Sequence, residues 1–177
     1  MTSESPKFLA SMCLVVGGAL GVAGTFAPSD ALRGLAWGVD GVSLVIAGSL
    51  LTLIFFRAGR DLVAAGFLVF TVGQGLILST APMSLSAGVP AFGSGVALWT
   101  AGLVLISLPK VFPLAVRLLG LITAILFAIV AIRVLLGNEV LATTSPLPFF
   151  AYPILVATMV GWIWTLRNGI EADARNN

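Results

Sequence analysis

Four polar side chains interrupt stretches that are otherwise apolar, and they are the residues best placed to do chemistry: Asp40, Gln74, Thr100 and Arg133. A carboxylate at membrane depth is costly and is as a rule paired or functional. With its helix beginning near Leu35, Asp40 falls about 8 Å below the outer boundary at the helical rise per residue. Arg133 lies one turn before the end of its own stretch. It either extends its guanidinium to the headgroups or pairs with Asp40 in the same leaflet. Gln74 and Thr100 fall at comparable heights, so the four together define an expected outward-facing polar pocket for a small apolar ligand or a lipid. Plainer roles compete. If the helix starts at Gly41 instead, Asp40 is its N-cap, and Gly41 to Arg57 still suffices to cross. Gln74 alone reads as an interhelical hydrogen-bonding group.

Other chemistries are poorly supplied. The chain has no histidine and one cysteine, Cys13, which excludes an internal disulfide and metal sites built on His or Cys. Cys13 lies in an apolar run and reads as a small buried residue. General acid–base work favours a group titrating near neutrality, and no Ser or Thr has an evident activating base except through Asp40. The expectation is a protein that is not an enzyme, with no catalytic residues, no metal and no cofactor. Nucleic-acid binding needs clustered Lys and Arg; the net charge of +2 comes with no such cluster.

The elements that position the four residues follow from hydropathy. Of 177 residues, 59% are hydrophobic and 9% charged, against about 25% charged in soluble domains, so the surface must face lipid. Six apolar stretches are long enough to span as helices: Phe8–Ala27, Leu35–Phe56, Leu62–Ala81, Phe92–Pro109, Leu114–Leu136 and Pro148–Leu166. Backbone in lipid must satisfy its own hydrogen bonds, and runs of this length indicate helices, not barrel strands. Lys7 followed by an apolar run resembles a signal sequence, but the run is long enough to be a retained first span. The fold class expected is an all-α polytopic membrane bundle in one domain, with residues 167–177 as a short polar tail.

Orientation follows from the basic residues. Lys7, Arg57, Arg60, Lys110, Arg117, Arg167 and Arg175 fall on one side of the six stretches, and Arg33 and Arg133 on the other. Seven against two predicts both termini in the cytoplasm and residence in a cell inner membrane. Trp37, Phe149 and Tyr152 outside, with Phe55, Phe56, Trp162 and Trp164 inside, suit interfacial belts. Arg57, Arg60 and Asp61 form a tight inner turn suited to anionic headgroups, and Pro109 and Pro113 make a rigid turn around Lys110. Pro146, Pro148 and Pro153 stiffen the entry to the sixth helix, with Pro153 expected to kink it.

A shift of 54 residues places Leu14, Val15, Gly21, Ala27 and Pro28 on Leu68, Val69, Gly75, Ala81 and Pro82. The same shift carries Gly41, Val42, Leu44, Ala47, Gly48 and Leu51 onto Gly95, Val96, Leu98, Ala101, Gly102 and Leu105. One offset therefore relates the first helical hairpin to the second, in parallel topology. Gly21, Pro28, Gly41 and Gly48, with their partners Gly75, Pro82, Gly95 and Gly102, carry a resemblance to HdeD-type bacterial inner-membrane proteins. That resemblance implies a small protein of acid or envelope stress, with no catalytic residues to carry over.

Glycine is the main packing device. Gly34, Gly38, Gly41 and Gly48 share one helix face, and Gly17 with Gly21 and Gly95 with Gly102 repeat the theme. Small residues let helix backbones approach closely where lipid gives little hydrophobic drive. Two functions follow. The favoured one is an accessory or stress-type protein that associates through these faces, as a homo-oligomer or in a larger membrane complex. The other is a substrate-capture subunit of a transporter, with a polar site in the outer half of the bundle.

Overall fold

The computed structural model describes residues 4–144 and 146–175, and every regular element in them is an α-helix. The six are α1 (Glu4–Thr25), α2 (Asp30–Arg57), α3 (Asp61–Leu78), α4 (Val89–Ser107), α5 (Leu114–Leu135) and α6 (Ala151–Arg175). Each packs on its neighbours in the chain, and α6 returns to pack on α1, so the helices close into a ring. Five of them, α1 to α5, are long and apolar enough to cross a membrane. The sixth, with Tyr152, Pro153, Arg167 and Asn168 in its sequence, is not among those five. Large apolar side chains such as Leu53, Leu68, Ile125 and Leu135 point outward. A continuous apolar exterior of this kind is untenable in water and marks a membrane-embedded helical bundle.

Local chemistry sets the helix ends. α2 starts five residues before the apolar run does, because Ser29 caps it. Its backbone is extended (φ −142°, ψ 154°) and its Oγ accepts from the Leu32 N–H, while Asp30 complements the N-terminal dipole. That early start overturns the alternative in which Asp40 caps a helix beginning at Gly41: Asp40 lies in the third turn of a helix already formed. The α2–α3 connection turns on Gly59 at φ +65°, and α5 ends on Gly137 at φ +81°, conformations that a Cβ would strain. Pro153 falls in the first turn of α6, where its missing N–H removes no intrahelical bond. α6 also continues through the polar stretch expected as a tail, as far as Arg175; residues 176–177 of that stretch lie outside the described residues.

Aromatic side chains fill the ring where opposite helices do not touch. Trp162, only 1% exposed, packs edge-on against Phe67 at 5.0 Å and Phe70 at 6.1 Å. Phe55 stacks on Phe67 at 5.4 Å. Phe55 and Trp162 are thus core residues and not the interfacial anchors expected from the sequence. Phe56 and Trp164, both exposed, keep positions that suit an interface.

The glycines work inside the ring. A Cβ on Gly102 would lie 2.8 Å from the Gly66 carbonyl oxygen and 2.9 Å from the Phe70 nitrogen, and one on Gly95 would lie 2.7 Å from the Gly73 carbonyl. Gly41 faces Leu78, and Gly48 faces Thr71. All four therefore flank α3. Gly41 and Gly48 pack on the following hairpin, whereas Gly95 and Gly102 pack on their own hairpin partner, so the sequence repeat does not become a repeat of contacts. A Cβ on Gly34 would lie 3.0 Å from the Ala81 carbonyl oxygen, and one on Gly38 would meet nothing within 4 Å.

Candidate functional site

At the end of the ring where the α1–α2, α3–α4 and α5–α6 connections lie, the aromatic filling gives way to a cavity of about 60 Å³. All six helices line it. Gly21 and Thr25 come from α1, Trp37 and Asp40 from α2, and Ile77 from α3; α4 gives Phe92 and Trp99, α5 gives Phe127, and α6 gives Tyr152. A wider space of about 280 Å³ lies at its mouth, bounded by Asp30, Arg33 and the α3–α4 connection around Ser84. The two share Trp37, Thr80, Ala81, Phe92 and Ala142, which form the neck between them.

Asp40 is the one charged residue among those lining the inner cavity, and it is 6% exposed. Its Oδ1 accepts a hydrogen bond from the Tyr152 hydroxyl at 3.1 Å. The two residues sit on helices that flank α1 from opposite sides, and they meet across it because α1 presents glycine there. A Cβ on Gly21 would occupy the place of the Tyr152 hydroxyl, and one on Gly24 would collide with the Trp37 indole. A Cβ on Gly17 would press on Leu44 and lie 3.3 Å from Asp40 Oδ1. The Gly21 carbonyl, left open by the same lack of a side chain, accepts from Trp37 Nε1 at 3.2 Å and from Thr25 Oγ1 at 3.2 Å. The glycines of α1 thus clear space for a polar and aromatic site.

Of the four residues expected to form a pocket, the structure brings only Asp40 into the cavity wall. Gln74 is 1% exposed and its Oε1 has no hydrogen-bond partner among the described residues; it lies one turn of α3 below Ile77 and outside the lining. Thr100 donates to the Val96 carbonyl of its own helix at 3.0 Å and does not line the cavity. Arg133 is on the exposed side of α5, and α5 does not touch α2, so the expected pairing with Asp40 is not made. The ion pair found among the described residues is Arg33 with Asp30, at the mouth.

The partners that sequence reasoning missed are Tyr152, Trp37, Trp99 and Gly21. Trp99 and Tyr152 lie with ring centroids 6.2 Å apart, and Trp99 and Phe127 with centroids 5.2 Å apart. The Nε1–H of Trp99 is buried without a partner among the described residues. One signal was available: Tyr152 is the sole tyrosine, and its phenol is apolar in body and polar at one end. Nothing local in the sequence joins it to Asp40, 112 positions away.

Chemically, the site offers one carboxylate, one phenol and a wall of aromatic faces at the end of a widening passage. Compared with known proteins, the chain matches no family model, no curated protein and no solved structure.

Proposed function

We propose that this protein binds a small molecule that enters from the non-cytoplasmic side, in the manner of a substrate-capture subunit, and that it does so without catalysing a reaction. In this reading α6 is a sixth span, both termini are cytoplasmic and the membrane is a cell inner membrane. The observation that carries it is the buried Asp40–Tyr152 pair, set in a cavity to which every helix contributes and which opens through a neck to a wider mouth. A bundle serving only as a structural partner has no need of a carboxylate there, since charge at membrane depth is costly. The seven-to-two asymmetry of basic residues supports the orientation.

The accessory reading rests on the thin polar inventory of the spans and expects a glycine-lined outer face buried against another chain. Gly41, Gly48, Gly95 and Gly102 are instead occupied by contacts within the ring, which favours the binding reading. The test is extraction in mild detergent followed by native mass spectrometry. A small molecule retained by the wild-type chain and lost from Asp40→Asn supports capture. A stoichiometric protein partner with no small molecule in either form overturns it.

A further inference from the structure

We infer that the inner cavity is a site for a small organic ammonium cation, with Asp40 as its counter-ion and the aromatic wall as its second recognition element. The inference rests on the capture reading above and gives it a ligand class.

Charge comes first. Among the described residues no Lys or Arg nitrogen lies within ion-pair distance of Asp40, and Tyr152 is the donor to its carboxylate. A buried carboxylate with no cation is strongly destabilising, because desolvation is not offset by attraction. An anionic ligand would add to the imbalance. Two species remove it: a proton on the carboxyl, or a monovalent cation that replaces that proton.

The wall then decides which cation. Hard metal ions take six or more oxygen ligands or keep their water, whereas this lining is mostly carbon: Trp37, Phe92, Trp99, Phe127 and Tyr152. Aromatic faces carry negative quadrupoles that attract alkylated ammonium groups, more strongly once desolvated. The neck already holds such a contact, since the Arg33 guanidinium carbon sits 6.0 Å from the centre of the Trp37 ring. Arg33 is itself neutralised by Asp30 at the mouth, so an entering cation meets an ion pair and not a bare positive charge.

Size sets the last limit. A volume of about 60 Å³ is the liquid share of about two waters, so only a compact ammonium head would sit here. Drug-sized ligands need several times more. Any longer substituent would extend through the neck into the mouth.

The experiment uses the full chain in detergent or nanodiscs and follows intrinsic tryptophan fluorescence, because Trp37 and Trp99 both line the cavity. The probes are tetramethylammonium, choline and 3,3-dimethyl-1-butanol, the uncharged carbon isostere of choline. The expected result is saturable binding of both cations, at least tenfold weaker in Asp40→Asn, and at least tenfold weaker for the uncharged isostere. Trp99→Leu, which keeps the carboxylate, should weaken the cations severalfold and serves as the second variant if Asp40→Asn does not fold. No saturation by either cation, or equal binding of choline and its isostere to the wild type, overturns the inference. If native mass spectrometry still finds a retained neutral molecule, the capture reading stands while the cation assignment falls.

Discussion

The Tyr152 hydroxyl reaches Asp40 Oδ1 at 3.1 Å only because Gly21 lies between their helices without a side chain. α2 and α6 do not pack on each other; both pack on α1. One missing methyl group therefore decides whether a residue near the start of the chain and one near its end share a hydrogen bond. Gly21→Ala should displace the phenol and destabilise the fold by about 1–3 kcal/mol, the range for overpacking a filled site. Tyr152→Phe removes a hydrogen bond to a carboxylate and should cost about 1.5–3 kcal/mol. Because both changes break one contact, the double variant should lose clearly less than the sum. Thermal unfolding of the four proteins in one detergent measures this, and full additivity would mean that Gly21 does not act through Tyr152.

Glycines on α2 and α4 should respond very differently to the same substitution. At Gly102 the atoms that a Cβ would meet are the Gly66 carbonyl and the Phe70 nitrogen, backbone that cannot turn aside. Gly102→Ala should therefore force α3 and α4 apart at a cost of about 3 kcal/mol or more. At Gly38 nothing lies within 4 Å, and Ala is the better helix former by up to about 1 kcal/mol. Gly38→Ala should be neutral or slightly stabilising in the purified protein. Melting temperatures and yields of the two variants check the contrast, and an equally damaging Gly38→Ala would point to a contact made by that face outside this chain.

The helical class and the positions of the connections were legible because they depend on summed hydropathy and on where Lys and Arg fall. Asp40 was legible as well, as a carboxylate inside an apolar run. Its surroundings were not. The start of α2 is fixed by the Ser29 hydroxyl, a single hydrogen bond that hydropathy does not register, so two depths for Asp40 stayed open. Arg133 and Asp40 share a height but not a side of the ring, and height is all that a span assignment provides. Phe55 and Trp162 look like interfacial anchors from their distance to a span end; their rotation toward the ring axis placed them in the core. Gly38, Gly41 and Gly48 share one expected packing face, yet a Cβ at Gly41 or Gly48 meets α3 and one at Gly38 meets nothing within 4 Å, a difference that depends on how the ring closes.

Arg117 carries a second role beyond the charge bias. Its Nε donates to the Ser107 carbonyl and its Nη2 to the Leu108 carbonyl, each at 2.8 Å. These carbonyls end α4 and have no intrahelical donor, so one guanidinium closes the helix and fixes the α4–α5 turn. Arg117→Lys keeps the positive charge but replaces a planar fork with a single point donor. It should leave orientation unchanged and lower stability by about 1–2 kcal/mol, the lower part of the range for charged hydrogen bonds because the rim is open to solvent. Unfolding in detergent, combined with an unchanged labelling pattern in cells, checks both halves.

The proposed orientation, with the cavity opening away from the cytoplasm, can be measured independently of any ligand. Ser84 is exposed at the mouth, and Arg60 is exposed in the α2–α3 connection at the opposite end of the ring. Cys13 is the one native thiol, so a Cys13→Ala background leaves introduced cysteines as the reporters. In intact cells a membrane-impermeant maleimide should label Ser84→Cys at once, and Arg60→Cys only after lysis. The reverse pattern would turn the mouth toward the cytoplasm. The carboxylate and its aromatic wall would keep their affinity for a cation, but the protein would then receive its ligand from inside the cell, and a capture role on the outer side would no longer hold.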